Sequence, residues 1–208
     1  MSKEQLASRL LSIEGKIAGN KLRRGHLDPE EWGKLTEASE AFANSKLYID
    51  DTAGITVNEM KAKVRRLGGV SLVVIDYLQL VTTGNKRVES RQVEVSEISR
   101  SLKTMALELG VPVIALSQLS RSAEKRESNM PMLADLRESG SIEQDADIVL
   151  FINRKDYYEA KKDQKEKIVP AELVIAKHRK GSLGTIDLLF ELNMSAFRNV
   201  AREGKEEY

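Results

Sequence analysis

The segment SLVVIDYLQLV at residues 71–81 decides the fold, because an unbroken apolar, β-branched run ends in a single carboxylate, Asp76. A run without polar alternation is typical of a strand buried on both faces, as in parallel α/β sheets. Asp76 would then stand at the carboxyl end of that strand, the edge at which open α/β sheets bind ligands. A carboxylate there can hold Mg²⁺ through water beside phosphates. An aspartate that only caps the following turn is the alternative, and this segment alone leaves both open.

Composition narrows the class of protein. The 208 residues, 41% of them hydrophobic, suit one α/β domain, or a domain with an appendage. Lys and Arg total 33 against 32 Asp and Glu, so the net charge of +1 gives no overall field for nucleic acid or membrane. Cysteine is absent, which excludes disulfides, cysteine zinc sites and thiol nucleophiles. No apolar stretch approaches the roughly 20 residues that span a bilayer. We therefore expect a soluble, cytoplasmic protein.

The first part of the sequence contains three helix start signals. Ser2, with Gln5 in capping-box register, predicts a helix near the first residue. Pro29 follows Asp28 and predicts a second helix running toward residue 43, with Trp32 as a core or packing residue. A third helix is expected to begin at Thr56 and to end at residues 68–69.

Further strands and one long helix follow from the apolar pattern. The spacing of apolar residues at 92–109 predicts a helix that covers one face of the sheet. Residues 111–118 form a buried strand that ends in Ser117 and Gln118, so two strands present polar groups at one edge. The other predicted strands are 47–49, 148–152 and 172–176, the last in a hairpin with 185–191. The fold class is therefore α/β: a wound, mostly parallel sheet with helices on both faces and a C-terminal antiparallel hairpin.

Five blocks of sequence together resemble the C-terminal motor domain of bacterial replicative DNA helicases of the DnaB type, a RecA-like ATPase. The blocks are VIDYLQL (74–80), EVSEISRSLK (94–103), VPVIALSQLSR (111–121), DLRESGSIEQDAD (135–147) and AKHR (176–179). The resemblance covers almost all of the chain. A RecA-type recombinase or a circadian-type ATPase would share the fold, but would not be expected to carry the 135–147 block so fully.

The resemblance implies a site for ATP and Mg²⁺. Asp76 matches the Walker B acid that holds Mg²⁺, and Gln118 matches the residue that senses the γ-phosphate. Lys177 and Arg179 match the basic pair that these helicases insert into the nucleotide site of the adjacent subunit. Alternation along an extended segment points these two side chains the same way, so they can approach one phosphate together.

The resemblance also implies partners. Arg137, Glu138 and Gly140 match the loop that tracks single-stranded DNA in the central channel of a homohexamer. We interpret the basic loop at residues 86–87 as a solvated loop; the alternative is that it also faces the channel. A helicase loader and, through an N-terminal collar domain, primase are further expected partners; no membrane partner is expected.

One motif of the family is missing. The sequence contains no G-x-x-x-x-G-K-[ST], and in the family that phosphate loop and a catalytic glutamate precede the segment that residues 1–5 resemble. Residues 1–208 are therefore expected to form a partial RecA-like domain, inactive alone, from a helicase that unwinds DNA with ATP. The alternative is a non-catalytic module that binds DNA or a loader. A missing central strand would leave an exposed edge that must be covered or paired.

Overall fold

The computed structural model describes residues 1–85, 90–119, 130–154 and 168–200, without the side chains of 137–140. The chain divides into two compact units. One consists of Thr52–Asn153 and Val174–Thr185, and the other of Met1–Asp51, Arg154–Leu173 and Ile186–Tyr208. The predicted loop at residues 86–87 lies outside the described residues.

Helices come first in the described chain, helices and short strands alternate through its middle, and consecutive strands end it. The described helices are α1 (Lys3–Glu14), α2 (Gly19–Arg24), α3 (Pro29–Ala43), α4 (Val57–Leu67), α5 (Arg91–Leu109) and α6 (Gly140–Asp145). Short 3-10 helices lie at Leu78–Leu80 and Leu133–Ser139. The strands are β1 (Val73–Ile75), β2 (Val113–Ala115), β3 (Ile148–Asn153), β4 (Ile168–His178), β5 (Gly184–Glu191) and β6 (Ala196–Asn199).

The predicted helix starts are confirmed. Ser2, Asp28 and Thr56 are the N-caps of α1, α3 and α4, and each forms a full capping box with the residue three positions later. At each start a side-chain oxygen accepts from a free backbone N–H while the Gln or Glu side chain bonds back to the cap. The helix predicted at 92–109 is also confirmed as α5, which begins one residue earlier after the cap Ser90.

The strands form two sheets, whereas the sequence predicted one. β1 and β2 pair in parallel, and the second sheet has the order β3-β4-β5-β6 with antiparallel pairing of β5 and β6. Among the described strands, β3 is hydrogen-bonded to β4 and to neither strand of the parallel pair. The final strand, β6, was not predicted, because its four residues carry only two apolar side chains.

Two expectations about the first fifty residues are wrong. Residues 47–49 are not a strand, and Leu47 and Tyr48 are 51% and 58% exposed, because no described strand lies beside them to complete a ladder. Trp32 is not a core residue but is 52% exposed. The buried residue of α3 is Ala38, six positions away, which places Trp32 about 120° around the helix axis from the packed side.

The parallel pair is buried on one face only, so the predicted burial on both faces is also wrong. The apolar core of this region joins Ile75 of β1 to side chains of α4 and α5, among them Ile98, Leu102 and Met105. On the opposite face Val74 and Ile114 are more than half exposed. Alternation along each strand explains the contrast, since α4 and α5 cover a single face.

A second core lies under the 3-10 helix Leu133–Ser139. Leu136 packs with Val149 and Phe151 of β3, and Ile142 of α6 packs against this core and the first one. The intervening side chains of β3, Ile148, Leu150 and Ile152, are about half exposed. Within the described part of the chain, no helix has both the length and the apolar character to cross a membrane.

Candidate functional site

The ends of β1 and β2 lie at one edge, as the sequence predicted. Ile75 is in register with Ala115, and the Leu116 N–H donates to the Ile75 carbonyl at 2.9 Å. The chain then stays joined beyond both strands, since the Leu78 N–H donates to the Leu116 carbonyl at 2.8 Å. Asp76 and Gln118 therefore follow neighbouring strands at a common edge, and both are exposed to solvent.

Gln79 joins the two strand ends through its side-chain amide. Its Nε2 donates to the Ser117 Oγ at 3.1 Å and to the Gln118 carbonyl at 3.4 Å, while its Oε1 accepts the Gln118 N–H at 3.4 Å. Gln79 was not among the site residues predicted from the sequence. The available signal was a polar side chain inside the apolar run at residues 71–81, three positions after Asp76.

The first turn of α5 holds residues 79–83, which follow Asp76 in the chain, by hydrogen bonds. Arg91 donates to the Gln79 carbonyl at 2.5 Å and forms an ion pair with Glu94. Glu94 also accepts from the Thr82 Oγ1 and the Thr83 N–H, each at 3.3 Å. Partial burial raises the pKa of Glu94, but the Arg91 and Thr83 hydrogen bonds outweigh it and leave the pKa below its ordinary value. Glu94 is therefore an ionised anchor for residues 82–83.

The donor set at the Asp76 edge fits one kind of metal binding. Over the residues that the structure describes, no group of three or more His, Cys, Asp or Glu could enclose a metal ion. Asp76 is a single exposed carboxylate. Mg²⁺ commonly keeps several waters and takes one or two carboxylates together with substrate phosphates. The edge therefore fits Mg²⁺ carried by a nucleotide, and does not fit a dedicated protein cage.

Lys177 and Arg179 point the same way, as alternation predicted, and both reach the C-terminal end of α6. The Gln144 carbonyl accepts from the Lys177 Nζ at 3.4 Å and from an Arg179 guanidinium nitrogen at 2.7 Å. Lys177 also donates to the Glu143 carbonyl. These carbonyls belong to the last turn of α6, where unpaired acceptors and the negative end of the helix dipole favour cations.

Asp147 connects this basic pair to α5. Its carboxylate contacts Lys103 of α5 and lies 3.4 Å from a guanidinium nitrogen of Arg179, and its carbonyl accepts the Arg179 N–H at 2.9 Å. The hydrogen bond from Lys103 lowers the pKa of Asp147, with a further lowering from the charges of Lys103, Arg179 and Lys177. Neither Lys103 nor Asp147 was assigned a role from the sequence, because nothing in the sequence reveals contacts made across the fold.

The predicted DNA contacts lie on a helical segment. The backbone of Arg137 and Glu138 belongs to the 3-10 helix Leu133–Ser139, and Gly140 begins α6 directly after it, so the predicted loop is helical. The side chains of these residues lie outside the described part of the structure. The preceding turn is fixed, because the buried Asp135 carboxylate accepts the Met132 N–H at 2.8 Å.

A separate open cavity of about 240 Å³ lies beside the start of α4. Its lining is mostly polar and includes Thr56, Asn58, Thr82, Thr83 and Glu97. None of the residues that the sequence analysis proposed for nucleotide or DNA lines it. The cavity therefore does not coincide with the strand-end site.

Comparison with known proteins identifies relatives over nearly the whole chain. Residues 1–199 match the family model described as "DnaB-like helicase C terminal domain". The chain is 52% identical over 209 residues to the replicative DNA helicase DnaB of Geobacillus stearothermophilus, covering 99% of this chain and 45% of the relative. It is also 52% identical over 205 residues to the replicative DNA helicase DnaC of Bacillus subtilis strain 168, covering 97% of this chain and 44% of the relative.

Solved structures agree with this fold. One of them, described as an ATPase domain, superposes with a TM-score of 0.88 at 44% identity, covering 97% of this chain and 72% of the other. A DnaB-like replicative helicase, solved in a study of its interactions with primase, gives a TM-score of 0.87 at 44% identity, covering 97% of this chain and 50% of the other. The chain spans about half the length of the curated relatives that it matches.

Proposed function

The chain belongs to the family of DnaB-like helicase C-terminal domains, and on that premise we propose that it acts as the motor domain of a replicative DNA helicase. The proposed activity couples ATP hydrolysis to translocation on single-stranded DNA and to duplex unwinding. The observation that carries the proposal is the common edge of β1 and β2, where Asp76 and Gln118 follow neighbouring parallel strands. Ligands of open α/β sheets bind at such an edge.

Each strand end has a proposed role. Asp76 would hold Mg²⁺ through water while the ion bridges the phosphates of ATP and neutralises their charge. Gln118 would contact the γ-phosphate through its exposed amide. Gln79 bonds to the main chain of Gln118 and would therefore keep Gln118 at a constant distance from the segment that follows Asp76. This arrangement gives Gln79 a positioning role that does not require contact with the nucleotide.

Lys177 and Arg179 are proposed to act on the nucleotide of an adjacent subunit. Two cations that point in one direction can stabilise the charge that develops on a transferred phosphoryl group, an effect of about 10³-fold or more in rate. Among the described residues, their acceptors are main-chain carbonyls of α6 and the exposed Asp147 carboxylate. Ion pairs this exposed are weak, so a doubly charged phosphate can compete for the pair.

Arg137, Glu138 and Gly140 are proposed to contact single-stranded DNA. Arg137 would pair with one phosphate, and the missing Cβ of Gly140 would let main-chain N–H groups approach another. Glu138 would contribute its N–H, because its carboxylate repels phosphate. A homohexamer of subunits, a helicase loader and primase are the proposed protein partners, and the cytoplasm is the proposed location.

A second candidate function is a non-catalytic module that binds DNA or a loader. The observation in its favour is the absence of G-x-x-x-x-G-K-[ST] from the sequence, since the N–H groups and lysine of that loop are what cradle the β- and γ-phosphates. Both candidates require the DNA contacts. They differ in whether the Asp76 edge serves hydrolysis.

A chimera distinguishes the two functions. Residues 1–199 would replace the aligned segment of the Geobacillus stearothermophilus relative, and DNA-stimulated ATPase and unwinding would be measured. The motor proposal predicts that the chimera hydrolyses ATP and that Asp76→Ala abolishes turnover without loss of DNA binding. A folded, DNA-binding chimera with no ATPase would favour the binding module instead.

A further inference from the structure

One main-chain acceptor in the turn after β1 is bonded from α5. The carbonyls of residues 77 and 78 accept from N–H groups inside the turn, at 3.0 and 3.2 Å. The Gln79 carbonyl instead accepts from the Nη2 of Arg91, the first residue of α5, at 2.5 Å. Apolar packing of this turn in the core has no directional preference, whereas a hydrogen bond does. The Arg91 contact therefore gives the Gln79 peptide group its orientation.

A second contact holds the Arg91 guanidinium in place. Its Nη1 forms an ion pair with Glu94, one turn along α5. Only 14% of the Glu94 side chain is exposed, and its carboxylate also accepts from Thr82 and Thr83. A guanidinium is planar, and its N–H groups point in fixed directions. Two acceptors on different nitrogens therefore fix both the position and the orientation of this group.

Helix stability alone does not favour an arginine at position 91. The positive end of the helix dipole disfavours a cation in the first turn of α5. The Ser90 hydroxyl already caps the helix by accepting the Val93 N–H at 3.3 Å, so Arg91 is not needed as a cap. A residue that breaks a local preference is expected where it has a functional role. The hydrogen bond to the Gln79 carbonyl is a contact that could supply such a role.

Gln79 extends this constraint to the second strand end. Its side-chain amide bonds to the carbonyl and the N–H of Gln118 and to the Ser117 hydroxyl. Side-chain hydrogen bonds therefore join the first turn of α5, the turn after β1 and the segment after β2, and they meet at Gln79. A rotation of the Gln79 peptide group would move its amide and, with it, the main chain of Gln118.

We propose that Arg91 is a positioning residue for the strand-end site: through Gln79 it sets the place at which Gln118 meets the γ-phosphate of ATP. The role requires no contact between Arg91 and the nucleotide. This inference rests on the proposed function, since that function gives Gln118 its contact with ATP. It assigns the first turn of α5 to the nucleotide site, although Arg91 follows Gln79 by 12 positions and belongs to a different element.

The hydrogen-bond path is tested on the 208-residue chain by NMR. Arg91→Met removes the donor and keeps an unbranched side chain. We expect the side-chain amide signals of Gln79 and the N–H signal of Gln118 to shift. The Gln118 N–H should also exchange with solvent about fivefold faster, the factor expected from the loss of one ordinary hydrogen bond. Arg198→Met removes an arginine that pairs with Glu191 in the other unit, and this control should change neither signal.

The consequence for turnover is tested in the chimera with the Geobacillus stearothermophilus relative. Arg91→Met should lower kcat for ATP about tenfold, the size of effect typical of removing a group that orients a ligand-binding side chain. The KM for ATP should stay within about twofold, because a contact made mainly in the transition state affects kcat. The affinity for fluorescent N-methylanthraniloyl ADP should also be unchanged, since ADP has no γ-phosphate. A general loss of structure would weaken ADP binding as well.

A double-mutant cycle in the chimera identifies the path. Gln79→Ala should lower kcat by a factor similar to that of Arg91→Met. Because both changes interrupt one chain of contacts, adding Arg91→Met to Gln79→Ala should lower kcat by less than about twofold further. Arg91→Lys keeps a cationic donor and should recover part of the lost kcat, although a lysine lacks the planar fork that reaches both acceptors.

The outcomes separate this inference from the proposed function. An active chimera in which Arg91→Met leaves kcat unchanged would overturn the positioning role, and so would an undisturbed Gln118 N–H in the 208-residue chain. Losses from Arg91→Met and Gln79→Ala that multiply in the double variant would show that Arg91 does not act through Gln79. A folded parent chimera without ATPase would instead refute the proposed function together with the role built on it.

Discussion

The side-chain amide of Gln79 is hydrogen-bonded to the main chain of Gln118 in both directions, as donor to the carbonyl and as acceptor from the N–H, each at 3.4 Å. These contacts involve no side-chain atom of Gln118. The two glutamines therefore contribute differently to the molecule, although both lie at the strand-end edge.

Gln79→Ala should lower the free energy of unfolding by about 1 kcal/mol, since it removes hydrogen bonds that join the segment after β1 to the segment after β2. Gln118→Ala is the matched control and should change stability by less than about 0.5 kcal/mol, because it keeps those main-chain bonds. Urea unfolding followed by circular dichroism measures both. Equal losses for the two variants would contradict the positioning role of Gln79.

Arg137→Ala should weaken binding of single-stranded DNA and reduce the slope of log K against log salt by about 0.7, the value for one phosphate contact on a single strand. Fluorescence anisotropy over a range of salt concentrations measures both quantities. Arg198→Ala removes the same charge from β6, and we expect it to leave the slope unchanged. An unaltered slope in Arg137→Ala would show that this residue makes no phosphate contact.

The 208-residue polypeptide should show no measurable ATPase alone, because its sequence lacks the phosphate-loop motif. A coupled assay with excess Mg²⁺ and oligothymidylate provides the measurement. Asp76→Ala is the control for contaminating activity. Turnover that disappears in this variant would refute the prediction.

The ion pair between Lys103 and Asp147 should depend on pH. The pKa of Asp147 is lowered in the folded state. The contribution of the ion pair to the free energy of unfolding is therefore fully present above the ordinary aspartate pKa of about 3.9, and it is lost as the pH falls through the lower folded-state pKa. Because solvent screens an ion pair this exposed, we expect it to contribute only about 0.5 kcal/mol to the free energy of unfolding.

A double-mutant cycle isolates this contribution. Asp147→Asn, Lys103→Met and the double variant are unfolded in urea at neutral pH and again at an acid pH below the lowered folded-state pKa of Asp147. We expect the coupling energy at neutral pH only. A coupling energy that persists undiminished in acid would show that an ionised Asp147 is not its source.

Trp32→Phe should change the free energy of unfolding by less than about 0.5 kcal/mol, because the side chain is 52% exposed. Trp32 is the sole tryptophan of the sequence, so its fluorescence reports this position alone. The emission should resemble that of an indole in water and should be quenched readily by iodide. Blue-shifted emission protected from iodide would indicate that Trp32 is buried.

Local sequence signals predicted α1, α3, α4 and α5, but neither the short helices α2 and α6 nor the division of the strands into two sheets. The capping residues Ser2, Asp28 and Thr56 define helix starts through contacts made within three positions, so a single sequence is sufficient to find them. The apolar run at 71–81 was predicted as a strand buried on both faces, but Val74 is exposed because burial depends on which elements lie opposite. The strand predicted at residues 47–49 is not formed, because no described strand lies beside it.

In the candidate site, too, local features could be predicted and long-range contacts could not. The common edge of Asp76 and Gln118 could be predicted, because carboxyl ends of parallel strands meet. The common direction of Lys177 and Arg179 followed from alternation. Gln79 and Asp147 escaped prediction, since their partners lie 38–39 and 32–44 positions away and only the folded chain brings them together.

The three capping boxes have a consequence for unfolding. Each is completed within four consecutive residues, so α1, α3 and α4 carry start signals that persist when the rest of the chain is disordered. The strand-end edge and the α6 contacts have no such local support. On heating, the capacity to bind ligands should therefore disappear before the helical circular dichroism signal does, and helicity alone would overstate how much competent protein remains in a sample.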